Sequence, residues 1–108
     1  MASFKDISPT ELAKRMESGE EVLLIDVRES EEYEVARIEG AHLMPLSRFH
    51  EWAGSLNTEA EIIFMCHHGI RSAQVCRFLA REGYSKLCNL AGGIDLWSTE
   101  VDRSVPRY

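Results

Sequence analysis

Cysteine is scarce in this chain and odd in number: Cys66, Cys76 and Cys88 are the whole complement of 108 residues. No two of them form a Cys-x-x-Cys pair. An unpaired set of this kind fits neither a secreted disulfide framework nor a zinc knuckle. A reducing cytoplasm is the setting it implies. Long apolar runs are missing too. No stretch approaches the roughly 18 apolar residues of a membrane span, and the opening Met1-Ala2-Ser3-Phe4-Lys5-Asp6 has no apolar signal core. Positive charge is in deficit, with 12 Lys and Arg against 18 Asp and Glu for a formal net charge of −6. That argues against nucleic acid, which is bound through a basic face, and against adhesion to anionic membranes. A small anionic substrate is not excluded, because backbone N–H groups can bind an anion on an acidic protein.

What is present suits one globular domain over residues 1–108, with 44% hydrophobic and 28% charged residues. Ser8-Pro9-Thr10-Glu11 reads as a helix start, with Ser8 as N-cap, Pro9 at the first helical position and Glu11 completing a capping box. Leu12, Ala13 and Met16 form its buried stripe, and Gly19 ends it. Residues 22–25 and 62–65 are short unbroken apolar runs, the mark of strands buried on both faces. Between them Ser30 and Ser47 are candidate caps of short helices, and residues 40–46 read as a turn and a brief extended segment. Residues 72–82 give the strongest helix, capped by Ser72 and stopped by Gly83. Residues 86–90 are a third strand, Gly92-Gly93 a tight turn, and residues 94–97 a last helical piece. This alternation predicts an α/β fold, a mostly parallel sheet with helices on both faces.

The informative segment is Cys66-His67-His68-Gly69-Ile70-Arg71-Ser72, which follows an apolar strand and opens the strongest helix. Ligands of open α/β sheets bind outside the carboxyl ends of strands. Consecutive N–H groups of such a loop converge on a point, and the helix dipole adds positive potential there. Thiols at helix N-termini or beside cations ionise more readily than free cysteine. Arg71 supplies a fork able to hold an oxyanion through two bonds. Gly69 lets the backbone bend. The parts needed for nucleophilic attack on a small anion are contiguous.

Cys66-x-x-Gly69-x-Arg71-Ser72 after a buried strand resembles the active loop of rhodanese domains. Ile25-Asp26-Val27-Arg28 with Glu32 resembles their first signature, Gly40-Ala41 with Pro45 the segment after it, and Asn89-Leu90-Ala91-Gly92-Gly93-Ile94 with Trp97 the final one. The likeness runs from residue 5 to the end. It implies a sheet of about five strands and a sulfurtransferase. Cys66 would attack the outer sulfur of thiosulfate, release sulfite and hold a persulfide, which cyanide or another thiophilic acceptor then discharges. Arg71 and the N–H groups of His67, His68, Gly69, Ile70, Arg71 and Ser72 would hold the oxyanion and the persulfide. No metal or organic cofactor is implied. A sulfur-carrier or thioredoxin-like protein is a further partner the resemblance suggests. Two departures stand out: Ala36-Arg37-Ile38 replaces the family's usual Gly-His-Ile, and Arg103 stands in a tail that often has Pro there.

Plainer readings sit beside these. Cys76 and Cys88 face the core as small hydrophobes. Asp26 is expected to bond loop N–H groups, and Arg28 to pair with Glu32 across a helical turn, both in support of the site. His67 and His68 could join Cys66 around a metal, but adjacent residues on one tight loop rarely aim at one ion. Trp52 and Trp97 pack in the core or at its rim. The rival enzymes are cysteine phosphatases and arsenate reductases, whose loops resemble Cys-x5-Arg; here four residues separate Cys66 from Arg71. The rival of another class is a non-catalytic binding module or sulfur-relay partner.

Overall fold

A computed structural model describes residues 3–108, so Met1 and Ala2 of the hydrophilic opening lie outside the described residues. Five strands run β1 (Lys5–Ile7), β2 (Leu24–Asp26), β3 (His42–Leu43), β4 (Ile62–Met65) and β5 (Leu87–Leu90). They form one sheet in the order β1-β5-β4-β2-β3, with every pairing parallel. The helices are α1 (Pro9–Glu17), α2 (Ser30–Val35), α3 (Phe49–Trp52), α4 (Ile70–Arg81) and α5 (Gly93–Glu100). Because all strands point one way, the segments leaving β2, β4 and β5 emerge along a single edge.

The strands alternate their side chains between two cores. On one face Ile63, Met65, Leu24 and Leu90 pack with Leu12 and Ala13 of α1 and with Ile94 and Trp97 of α5. On the other, Ile62, Phe64, Ile25 and Leu87 pack with Trp52 of α3 and with Val75, Cys76 and Leu79 of α4. The helices on both faces follow from this two-sided burial.

Ser8 caps α1 as the sequence predicts, its hydroxyl accepting from Glu11 N at 3.1 Å. Other boundaries differ for identifiable reasons. The cap of α2 is Glu29, not Ser30, because Glu29 and Glu32 complete a reciprocal capping box. Ser47 caps no helix; its N–H and hydroxyl both donate to the Glu29 carboxylate, at 3.2 and 2.5 Å. α4 starts two residues before Ser72, with Gly69 as its cap at φ 93°. Strand β1 is absent from the sequence reading, since Lys5-Asp6-Ile7 is a short, polar edge that pairs only with β5.

Candidate active site

Strand alternation decides where Cys66 points. Ile62 and Phe64 face α4, so Cys66, one step beyond β4, is carried to the same side, beneath the start of that helix. There its sulfur accepts hydrogen bonds from Gly69 N at 3.1 Å and Ser72 N at 3.4 Å. The Ser72 hydroxyl lies 3.3 Å from Sγ and 2.5 Å from Asn89 Oδ1, and with one proton it donates to one of them at a time. Cys66 is 1% exposed. The thiol is thus buried beneath the helix start, with the Gly69 and Ser72 amides turned onto its sulfur.

The loop is also held from behind, through its carbonyls. Cys66 O and His67 O accept from Ile94 N at 2.9 Å and Asp95 N at 3.1 Å, the first turn of α5. This contact requires Gly93: a Cβ there would lie 2.4 Å from both carbonyl oxygens. Gly92-Gly93 is therefore more than a turn; it admits a helix end against the loop. Asn89 closes the other side, donating to Gly69 O at 3.1 Å while its Oδ1 receives Ser72. The sequence reading gave Asn89 no role in the site. Its signal was an amide inside an otherwise apolar strand, a group that must find partners when buried.

Arg71 does not present an empty fork. Its Nη1 and Nη2 donate to the two oxygens of Glu32, each at 2.8 Å. Glu32 also accepts from Glu29 N at 3.0 Å and from the Tyr108 hydroxyl at 3.0 Å. Arg71, opposed by burial and helped by the other donors, holds the Glu32 carboxyl at about 2. Arg28 therefore makes a different pair from the one expected: it reaches the Glu32 carbonyl, not its carboxylate. Its main partner is Asp26, through Nε at 2.9 Å and Nη2 at 2.6 Å, and both side chains are fully buried. Asp26 also accepts the Arg28 N–H, in line with the expected loop bond. Arg37, where the family usually has His, lies over the Tyr33 ring, and the Ala36 carbonyl accepts from Arg28.

Tyr108 was not anticipated. Its hydroxyl accepts from Arg28 Nη1 at 2.8 Å and donates to Glu32, and its ring stacks on His67 with centroids 4.0 Å apart. Burial, aided by the neighbouring His68 charge, lowers the His67 pKa. His67, His68 and Asp95 bring ligand-type atoms within 4.8 Å of one another, a trio without Cys66. The two rings stack at 28°, and both Asp95 oxygens accept from Arg107. Burial pushes the Cys76 thiol up to about 12 and raises that of Cys88, which leaves both as packing groups.

Residues 8–100 match the family described as "Rhodanese-like domain". The chain is 39% identical over 111 residues to the chloroplastic rhodanese-like/PpiC domain-containing protein 12 of Arabidopsis thaliana, covering 96% of this chain but 37% of that protein. It is 32% identical over 95 residues to the thiosulfate sulfurtransferase GlpE of Actinobacillus succinogenes, covering 88% and 85% of the two chains. Among solved structures, a rhodanese-like domain protein from Staphylococcus aureus superposes with a TM-score of 0.81 at 28% identity, over 96% of this chain and 98% of that one.

Proposed function

The chain belongs to the rhodanese-like domain family, and on that premise we propose that it is a sulfurtransferase carrying sulfane sulfur as a persulfide on Cys66. The observation that carries this reading is the convergence of Gly69 N and Ser72 N on the Cys66 sulfur. Donors so placed stabilise negative charge on sulfur without a metal or a cofactor.

In the first half-reaction the Cys66 thiolate attacks the outer sulfur of thiosulfate. The sulfur–sulfur bond of thiosulfate breaks, sulfite leaves with the electron pair, and Cys66 holds the new persulfide. In the second, cyanide or another thiophile attacks the outer sulfur; thiocyanate leaves when cyanide is used, and the Cys66 thiolate returns. No net oxidation occurs. Thiosulfate as donor is supported by the name of the Actinobacillus relative; a protein persulfide is the alternative donor. The backbone of residues 67–72 lines the passage of sulfur. Arg71, steadied by Glu32, supplies the remaining N–H donors towards the oxyanion. A loop with four residues between Cys66 and Arg71 favours a single sulfur atom over the tetrahedral group that a phosphatase loop encloses.

Three free cysteines suit a reducing compartment such as the cytoplasm, and among the described residues no helix is long and apolar enough to cross a membrane. The test is intact mass spectrometry after exposure to thiosulfate. Cys66 is expected to gain one sulfur atom and lose it to cyanide as thiocyanate, whereas Cys66→Ser gains none and keeps its fold. An unmodified Cys66 in excess donor would contradict the proposal.

A further inference from the structure

Acidic residues avoid two segments of this acidic chain. Residues 40–50 and 62–81 contain no Asp or Glu, although the chain has 18. The same segments carry Arg48, Arg71, Arg77 and Arg81, and of these Arg48, Arg77 and Arg81 are exposed. They also meet in space, where Phe49 packs edge-on against Phe78 with centroids 5.3 Å apart. Between them lies a cavity of about 300 Å³ lined by Leu46, Phe49, Gln74, Val75 and Phe78. Phe78 is 47% exposed and Ile70 68%. Ile70, Gln74 and Phe78 fall on one face of α4, so this face runs about 12 Å from the loop over Cys66 to the cavity, with exposed apolar side chains at both ends.

We propose that this groove docks an acidic protein segment bearing the acceptor thiol, with an apolar side chain of that segment seated in the cavity lined by Leu46, Phe49, Val75 and Phe78. The inference rests on Cys66 being the sulfur carrier. Charge selects the partner: a net charge of −6 repels acidic proteins, and the exposed Arg48, Arg77 and Arg81 on the two segments without Asp or Glu offset that repulsion here. The concave apolar wall favours a protein side chain over RNA, which needs a broader basic face. The transfer step balances. The partner thiolate attacks the outer sulfur of the Cys66 persulfide, one sulfur–sulfur bond breaks as another forms, and the Cys66 thiolate leaves.

The experiment loads Cys66 from thiosulfate, removes excess donor and follows discharge to three short cysteine peptides. One has glutamates and a leucine beside the cysteine, one has lysines in place of the glutamates, and one has serine in place of the leucine. The first is expected to discharge Cys66 about tenfold faster than the others at low salt. Gln74→Glu, which keeps the packing, and Phe78→Ser should each abolish that advantage while discharge to cyanide stays unchanged. Equal rates for all three peptides, or an advantage that survives both substitutions, would overturn the groove. So would an advantage for the lysine peptide, or suppression of the preference by an RNA oligonucleotide that itself shields the persulfide. A Cys66 that takes up no sulfur overturns both this inference and the sulfurtransferase reading, so the two failures are distinguishable.

Discussion

Arg71 and Glu32, 39 residues apart, are joined fork to fork by two hydrogen bonds of 2.8 Å. The pair ties the first turn of α4 to α2 and occupies the guanidinium edge that an anionic donor would otherwise use. Two effects follow from one contact, and they oppose each other. Glu32 steadies the loop, and it competes for the cation that the loop offers.

Glu32→Gln separates them. Losing the charge-assisted bonds is expected to cost about 1.5–3 kcal/mol of stability, seen as a lower midpoint in urea. Freeing Arg71 should lower the KM for thiosulfate severalfold and make it more salt-sensitive. A raised KM with unchanged kcat would show that Glu32 serves to aim Arg71 rather than to compete for it.

Gly93→Ala should damage the loop from behind. The added Cβ meets the carbonyl oxygens of Cys66 and His67 at 2.4 Å, and backbone cannot yield as a side chain does. About 1–3 kcal/mol of overpacking is expected, with sulfur loading of Cys66 slowed at least tenfold. Gly83→Ala is the control: its φ of 98° is the more strained of the two, but nothing lies within 4 Å, so loading should persist. Equal losses of loading in the two variants would remove Gly93 from any special role.

The Asp26–Arg28 pair has no exposure on either side chain. Asp26→Ala leaves a buried guanidinium without its counter-charge, and a loss of about 3–5 kcal/mol is expected. Asp26→Leu combined with Arg28→Met should be markedly less harmful than Asp26→Ala alone, because no charge is then stranded. Additive losses in chemical denaturation would refute this coupling.

Stability should fall towards acid in two stages. Burial, with the His68 charge, keeps the His67 pKa below the ordinary 6.5, so below that value the unfolded chain takes up a proton more readily than the folded one. Arg71 holds the Glu32 carboxyl at about 2 against an ordinary 4.5. Its contribution is full above 4.5 and is lost as pH falls from there towards 2. Thermal unfolding should show Tm declining below pH 6.5 and more steeply below 4.5, and Glu32→Gln should flatten only the steeper part. A Tm constant from pH 7 down to 4 would contradict both assignments.

The buried strands, the three longer helices and the Cys66 loop were legible in the residues because each signal is local. Ile62–Met65 is apolar at every position, Ser8-Pro9 sets a helix start, and Gly69 permits the bend that α4 begins from. Strand β1 was hidden because its Lys and Asp are exposed and only pairing with β5 makes it a strand. Asn89 and Tyr108 were hidden because their partners lie far away in sequence.

By itself the sequence determined that a cysteine would follow a buried strand into a tight turn ahead of a helix, because backbone conformation and apolar runs depend on near neighbours. Tertiary structure decided which carboxylate meets which guanidinium, that Asp26 and not Glu32 satisfies Arg28, and that α5 must come close enough for only glycine to fit at position 93. Those choices depend on how elements pack across the sheet, where partner distances are set by the whole chain and by no local pattern.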